Sequence, residues 1–222
     1  MQQLFDVIRH NPLWNGIDHS DFERMSPCLE TITKRFSKGD DILRSGDPLR
    51  HIGLILSGGV RVIKEGIDGN VLILAELGAP ELFGEVFACA GVAHSPVTVQ
   101  ASEASEILFM NYRRIISTCS SACGFHGRMV ENMLVILAKK TMLLNQKIDI
   151  LSQRTTREKI LAFLDAQRGA GKQVTIPFNR EEMARYLNVD RSALSNELRK
   201  MQDVGLIRFH RNVFELLQTD KG

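Results

Sequence analysis

The sequence predicts an α+β fold made of an N-terminal antiparallel β roll of the jelly-roll type, one long helix, and a C-terminal helical unit that ends in a β hairpin. Ten of the 17 glycines lie between Gly39 and Gly91, where they separate short runs of β-forming residues. Neither glycine nor proline occurs from Arg128 to Arg168, which is typical of long helices. The last third combines short helical patterns with two alternating runs. The three parts are predicted at residues 1–125, 126–152 and 153–222.

Turn residues recur along the first part at the spacing that is typical of a compact antiparallel barrel or roll. The pair Asp68-Gly69 is the strongest hairpin signal, because this dipeptide favours the tight turn that matches the twist of two flanking strands. Five strands are expected, at Ile52–Leu56, Val60–Lys64, Val71–Leu77, Val97–Ala101 and Ile107–Met110.

Apolar residues of the predicted long helix recur at alternating spacings of four and three, with one polar residue in the series. A heptad pattern of this length favours a seam between two helices, and a second copy of the chain is the simplest partner. The alternative is an amphipathic helix that packs on its own roll. The predicted dimer seam consists of Val130, Leu134, Leu137, Thr141, Leu144, Ile148 and Leu151.

Charge is distributed unevenly along the chain, although the formal net charge is only +2. Residues 1–150 carry 15 basic and 17 acidic side chains, a balance of −2, whereas residues 151–222 carry 13 and 9, a balance of +4. The basic last third indicates a polyanionic partner for that part of the molecule.

Residues 179–202 predict a helix, a tight turn and a second helix. Asn179 is expected to cap the first helix and Asp190 the second, because short polar side chains accept hydrogen bonds from free helical N–H groups. Asn188 lies in the turn, where asparagine tolerates the left-handed conformation better than most residues. The apolar inner face is predicted to comprise Met183, Ala184, Leu187, Leu194, Leu198 and Met201.

The outward positions of the second helix carry hydrogen-bonding side chains with little acid among them, as a helix that reads base edges requires. They are Arg191, Ser192, Ser195, Asn196 and Arg199. The runs Gly205–His210 and Val213–Leu217, joined at Arg211-Asn212, would add a wing hairpin. The alternative is a helical hairpin with a solvated face. The combination favours a DNA-binding winged helix-turn-helix.

The order of these parts resembles the CRP/FNR family of bacterial transcription regulators over nearly the whole chain. The motifs that carry the resemblance are Phe83-Gly84-Glu85 in the roll, the stretch from Asp190 to Leu198 in the second helix, and Asp203-Val-Gly-Leu-Ile before the wing. The resemblance implies a sensor domain, a dimerisation helix and a winged helix-turn-helix domain. It further implies a homodimer on a near-palindromic DNA site, with RNA polymerase as another partner.

The resemblance also implies roles for individual side chains of the helix-turn-helix. Arg191, Ser192 and Asn196 fall where the family reads bases, and of the Arg, Glu and Arg that many members have there only Arg191 is kept. Arginine suits guanine and asparagine suits adenine. The expected phosphate contacts are Arg180, Ser195 and Arg199.

In members that bind cyclic nucleotides, a Gly-Glu pair is followed about ten residues later by Arg-Ser or Arg-Thr, whose arginine pairs with the cyclic phosphate. This chain has Gly84 and Glu85, but His94-Ser95-Pro96 replaces the arginine motif. A buried phosphate favours a permanent bidentate cation, which histidine does not supply. We therefore expect that cyclic AMP is not the effector. The pair Gly84-Glu85 is interpreted first as a structural turn in the roll and second as part of an effector site.

Several sensing mechanisms stay open from the sequence. A small effector would bind in the roll against the long helix, near Leu137, Thr141 and Leu144. Haem is another possibility, and its candidate axial ligands are His51, His94 and Cys89. Thiol sensing would use Cys119 and Cys123, and a further alternative is a constitutive DNA-binding protein with an empty sensor domain. An iron–sulfur cluster is disfavoured, since the N-terminal part offers only Cys28.

Other function classes lack their motifs in this chain. There is no nucleophile elbow, phosphate-binding loop, H-E-x-x-H or zinc-type spacing of cysteine and histidine, so neither an enzyme nor a metal site is expected. A channel-type or kinase-regulatory cyclic-nucleotide module would keep the phosphate arginine and lack the winged helix. No apolar run is long enough for a membrane span and the N-terminus does not read as a signal peptide, so we expect a cytoplasmic protein.

Overall fold

The computed structural model describes residues 2–66, 71–116, 124–168, 173–176 and 178–217. The chain forms two compact units, residues 1–138 and residues 139–222. The predicted boundaries between a sensor domain, a dimerisation helix and a DNA-binding domain stay predictions.

The first unit begins with helices and continues as a β roll. Helices α1 (Gln2–Ile8) and α2 (His19–Met25) precede the strands, and α3 (Glu85–Cys89) and α4 (Tyr112–Ile116) interrupt and follow them. The strands are β1 (Ile32–Phe36), β2 (Asp41–Leu43), β3 (His51–Ser57), β4 (Gly59–Glu65), β5 (Val71–Gly78), β6 (Leu82–Phe83), β7 (Thr98–Ala101) and β8 (Ser105–Asn111). The long helix α5 spans Gly124–Leu151.

The strands form two antiparallel sheets of four, in the orders β1-β8-β3-β6 and β2-β7-β4-β5. Side chains of both sheets meet in one apolar cluster, in which Ile55 and Ile107 of the first sheet pack with Val60 and Val99 of the second. The outer face of the first sheet, represented by Leu54, is buried with the N-terminal helices and the first half of α5. The jelly-roll-like antiparallel roll that the sequence predicts is confirmed.

All five predicted strands are present, as β3, β4, β5, β7 and β8. Strands β4 and β5 pair as the predicted hairpin, with Glu65 opposite Val71, while Asp68 and Gly69 lie outside the described residues. Helices α1 to α4 and strands β1, β2 and β6 were not predicted. These elements are short, and β1 is polar at most positions, so local pattern alone identifies them poorly.

The second unit contains the rest of α5 and the C-terminal elements. Helices α6 (Thr156–Gln167), α7 (Arg180–Leu187) and α8 (Arg191–Asp203) pack on a small antiparallel sheet of order β10-β11-β9. The strands are β9 (Gln173–Thr175), β10 (Ile207–His210) and β11 (Val213–Leu216). Their shared core includes Phe163, Leu187 and Phe214. A long helix and a winged helix-turn-helix follow the roll, as predicted.

Gly53, in the middle of β3, provides a test of this packing. Any Cβ at this position would overlap the ring of Phe83, which lies over the glycine backbone on the neighbouring strand β6. We expect Gly53→Ala to lower the free energy of unfolding by roughly 1–3 kcal/mol, because the ring has to move out of a filled core. Urea denaturation of the full chain measures this change.

Gly127 is the matched control, since a Cβ there meets nothing within 4 Å and the residue lies inside α5. We expect Gly127→Ala to raise the free energy of unfolding by about 0.5–1 kcal/mol, the usual advantage of alanine in a helix. Equal effects of the two substitutions would contradict the proposed packing of Phe83 on Gly53.

Candidate nucleic-acid interface and sensor residues

The first helix of the helix-turn-helix begins and ends with side-chain chemistry that the sequence predicts. Asn179 Oδ1 accepts from the N–H of Glu182 at 2.9 Å, and Glu182 Oε2 accepts from the N–H of Asn179 at 2.7 Å, which forms a capping box. At the other end Asn188 has φ 51° and ψ 59°. The left-handed turn expected at Asn188 is confirmed, and it directs the chain into α8.

The predicted inner faces of α7 and α8 are buried. Met183, Ala184, Leu187, Leu194, Leu198 and Met201 all belong to the core of the second unit. Because these positions are filled by core contacts, the opposite face of α8 is held toward solvent. Asp190 occupies the N-cap position of α8, but its side chain makes no capping hydrogen bond, so the predicted side-chain cap is wrong.

The outward face of α8 is exposed at every position proposed to meet DNA. These positions are Arg191, Ser192, Ser195, Asn196 and Arg199. Glu181 Oε2 of α7 lies 3.9 Å from Arg191 Nε, and both side chains are about two-thirds exposed, so this ion pair is weak. The pairing of Glu181 with Arg191 was not predicted, because the two residues lie on different helices. The DNA-contact roles of the five residues stay predictions.

A stronger ion pair anchors the inner edge of α8. Glu197 Oε1 accepts from Arg157 Nε of α6 at 2.6 Å, and Glu197 is only 17% exposed. The one acidic residue in the middle of α8 is thus turned away from the exposed polar face. This leaves that face with two arginines and neutral hydrogen-bonding groups.

The wing hairpin follows α8 directly. Strands β10 and β11 pair with Phe209 opposite Phe214, and the turn contains Arg211 at φ 52°. Arg180 is the first residue of α7, and its guanidinium lies over this wing: Nη2 donates to the carbonyl of Arg211 at 2.6 Å. The predicted phosphate contact at Arg180 stays a prediction, but the side chain is half-buried, unlike those of α8.

The sensor residues predicted from the sequence have different environments. Gly84 has φ 83°, a conformation that favours glycine, and Glu85 is 1% exposed in the first turn of α3. Ser95 is buried, and its hydroxyl donates to the carbonyl of Val97 at 2.7 Å. His94 is exposed and lines an open groove of about 500 Å³. Glu85 is not among the residues that line this groove. The effector-binding roles of these residues stay predictions.

A second cavity lies in the first unit, and its lining includes His51, one of the candidate haem ligands. It has a volume of about 370 Å³ and is walled by the rings of Phe36, Phe83 and Phe109, with Lys34 and His51 among its polar residues. The three phenylalanines come from β1, β6 and β8, which are far apart in the chain. No local sequence pattern brings them together.

The candidate haem ligands do not form one cluster. His51 lines the phenylalanine cavity, His94 lines the open groove, and Cys89 is exposed at the end of α3. Although part of the Cys89 side chain is exposed, desolvation of its thiol and the nearby Glu85 raise its pKa, which disfavours the reactive thiolate. Within the described ranges, no group of three histidine, cysteine or acidic residues is placed to bind a metal. Cys119 and Cys123 lie outside the described residues.

The residues of the predicted seam are partly covered and partly exposed. Leu134, Leu144 and Ile148 are each more than 60% exposed, and Thr141 is exposed as well. Val130, Leu137 and Leu151 are half-buried. The face of α5 that packs on the roll is a neighbouring one, made of Met129, Met133 and Ile136. The helix therefore packs on its own roll and still presents an apolar series to solvent.

Two family models match this chain. Residues 33–122 match the cyclic nucleotide-binding domain, and residues 158–221 match the Crp-like helix-turn-helix domain. The two matches coincide with the roll and with the winged helix-turn-helix of the structure.

The chain belongs to the CRP/FNR family of transcription regulators. Among similar proteins, the cyclic AMP receptor protein of Thermus thermophilus is 23% identical over 215 residues, which are 96% of this chain and 95% of the relative. The CRP-like protein Clp of Xanthomonas campestris is 23% identical over 181 residues, 78% of this chain and 79% of that protein.

Solved structures agree on the fold of this CRP/FNR-family chain. The c-di-GMP responsive global regulator CLP of Xanthomonas campestris matches with a TM-score of 0.58 and 22% identity, over 91% of this chain and 100% of that chain. A CooA mutant from Carboxydothermus hydrogenoformans matches with a TM-score of 0.56 and 22% identity, over 93% and 90%. A CRP-family regulator binds DNA through its helix-turn-helix domain, the class of function that the sequence predicts. Among the described helices, none is both long and apolar enough to cross a membrane.

Proposed function

We propose that the protein is a homodimeric regulator that binds a near-palindromic DNA site through the exposed face of α8, with its affinity controlled by a small effector in the roll. The main support for this proposal is that one side of α8 is polar and exposed whereas the opposite side is buried. The exposed residues are Arg191, Ser192, Ser195, Asn196 and Arg199. A helix held in this way presents donors and acceptors to the major groove. RNA polymerase is the expected further partner, and DNA binding would occur in the cytoplasm.

Dimerisation is supported by the exposed part of α5. Leu134, Leu144 and Ile148 belong to the four-three series and are exposed, so burying them against a second copy removes a row of leucine and isoleucine side chains from water. Two symmetric protomers would then present two α8 helices to successive major grooves of one duplex, which is the geometry that a near-palindromic site requires.

Sensing is proposed to involve the roll and an effector other than cyclic AMP. The relative from Thermus is named for cyclic AMP and the one from Xanthomonas is described as c-di-GMP responsive, so ligand identity varies among similar proteins. Here the position expected to pair with a cyclic phosphate is occupied by His94, which is exposed. An effector would act by stabilising one of two dimer arrangements, since only differential affinity shifts such an equilibrium. Haem sensing, thiol sensing and an empty sensor domain are the alternative proposals.

The base-reading role of Arg191 is tested with the duplex that the protein selects from a random library. We expect Arg191→Ala to weaken binding of the selected duplex by about 1–3 kcal/mol and to relax selectivity at one base pair of each half-site, because an arginine can bind guanine with two hydrogen bonds. Fluorescence anisotropy with the selected duplex and its single-base variants measures both effects. An equal loss on random duplex would mean that Arg191 contacts phosphate only.

The dimer seam is tested at Leu144, whose exposure in the single chain makes a polar substitution compatible with folding. We expect Leu144→Glu to raise the dimer dissociation constant at least about 30-fold, because each half of the seam would bury a carboxylate in place of a leucine. Sedimentation equilibrium measures the constant. Met142 is the control, because it is 70% exposed but lies outside the four-three series; Met142→Glu is expected to keep the dimer. Dissociation by both substitutions equally would contradict the assigned seam.

The proposal on the effector is tested by thermal unfolding in the presence of cyclic AMP. A ligand at 100 times its dissociation constant stabilises the folded state by about 2.7 kcal/mol. We expect millimolar cyclic AMP to leave the melting temperature unchanged. A rise that disappears in Glu85→Ala would instead identify cyclic AMP as a ligand of the roll and contradict the proposal.

A further inference from the structure

The turn of the wing contains one residue, Arg211, in a backbone conformation that its side chain disfavours. Arg211 has φ 52°, in the left-handed region that side chains with a Cβ adopt only at an energetic cost. Neighbouring elements hold this turn in place. The side-chain Nδ2 of Asn212 donates to the backbone carbonyl of Ile176 at 3.1 Å, and the backbone N–H of Ile176 donates to the carbonyl of Asn212 at 3.0 Å.

Arg180 supplies a second attachment, from the helix-turn-helix to the wing. Its Nη2 donates to the carbonyl of Arg211 at 2.6 Å. Its guanidinium carbon lies 5.0 Å from the ring centroid of Phe209 and 4.9 Å from that of Phe214, within the range of cation–π attraction. These two rings face each other across the hairpin, with centroids 5.6 Å apart. One side chain thus contacts both strands and the turn of the wing.

The surroundings of Arg180 differ from those of an exposed arginine that is free to contact a phosphate. The side chain is half-buried, and desolvation lowers the pKa of its guanidinium from the ordinary value, although arginine stays cationic at neutral pH. One of its N–H donors is already used by a carbonyl oxygen. Arg199, by contrast, is exposed on the outward face of α8 and is the natural comparison.

We propose that Arg180 is a positioning residue that fixes the wing against α7 in the orientation needed for DNA binding, and that it is not a phosphate contact. This inference rests on the proposed DNA-binding function. Arginine is suited to the role because its planar group can lie on aromatic rings and donate sideways to a carbonyl at the same time. Lysine carries the same charge as a compact ammonium and lacks that plane.

The first test uses the salt dependence of DNA binding to distinguish a positioning role of Arg180 from a direct contact between its charge and a phosphate. The affinity of Arg180→Lys, Arg180→Gln and Arg199→Gln for the selected duplex is measured by anisotropy at several salt concentrations. We expect both Arg180 variants to bind about tenfold more weakly at every salt concentration, with the salt slope of the wild type, since cation–π and charge-assisted contacts have this magnitude. Arg199→Gln is expected to reduce the slope by about 0.9 for each lost phosphate contact.

The second test asks whether Arg180 acts through the wing rings. Phe209→Leu keeps the charge of Arg180 and removes one ring from beneath it. We expect Phe209→Leu to weaken DNA binding, and the double variant with Arg180→Lys to bind no more weakly than the weaker single variant, because both changes release the same contact. Additive losses from the two changes would contradict an action of Arg180 through the wing.

Amide hydrogen exchange distinguishes positioning of the wing from general stability of the domain. In Arg180→Lys we expect faster exchange at Phe209 and Phe214 and unchanged exchange at Leu198 and Met201 of α8. Faster exchange throughout α8 would mean that Arg180 supports the whole domain and would overturn the proposal. So would wild-type affinity of Arg180→Lys combined with a reduced salt slope in Arg180→Gln. Failure of the wild type to bind any duplex would refute the proposed function instead.

Discussion

The packing of α7 against α8 is the constraint on which the DNA-binding surface depends. Ala184 and Leu187 of α7 are buried in the same core as Leu194 and Leu198 of α8, and the left-handed turn at Asn188 connects the two helices. Because a filled core allows little rotation of a helix about its own axis, burial of one side of α8 determines which side is exposed. The polar face follows from apolar contacts that never touch DNA.

The wing depends on contacts of a different kind. Its outer turn is attached by polar groups to Ile176, directly after β9, and by Arg180 to α7, while Ile207 and Phe214 of its strands are fully buried. A hairpin has little stability of its own, so the orientation of the wing depends on its pairing with β9, on its buried side chains and on these polar attachments. In this chain Arg180, the first residue of α7, lies over the rings of Phe209 and Phe214 and serves that purpose.

The roll and the long helix have a well-packed core, but they also expose apolar side chains to solvent. Met129, Met133 and Ile136 complete the core of the first unit, whereas Leu134 on an adjacent face is exposed. Strand β5 likewise exposes Val71–Leu74. Exposed apolar series of this kind are typical of association surfaces. Within the roll, Gly84 and Ser95 serve the local chain geometry, since one adopts a left-handed turn and the other closes a buried turn.

Local sequence patterns were sufficient to predict the α+β order of parts, five of the strands, the left-handed conformation of Asn188 and the two faces of α8. These features rest on periodicity and on residues whose conformational preferences act within a few positions of the chain. Tertiary structure alone decided that Phe36, Phe83 and Phe109 wall one cavity, that Asp190 forms no side-chain cap, and that Arg180 lies on the wing rings. Contacts between residues distant in sequence depend on how the elements pack, and no local pattern encodes that arrangement.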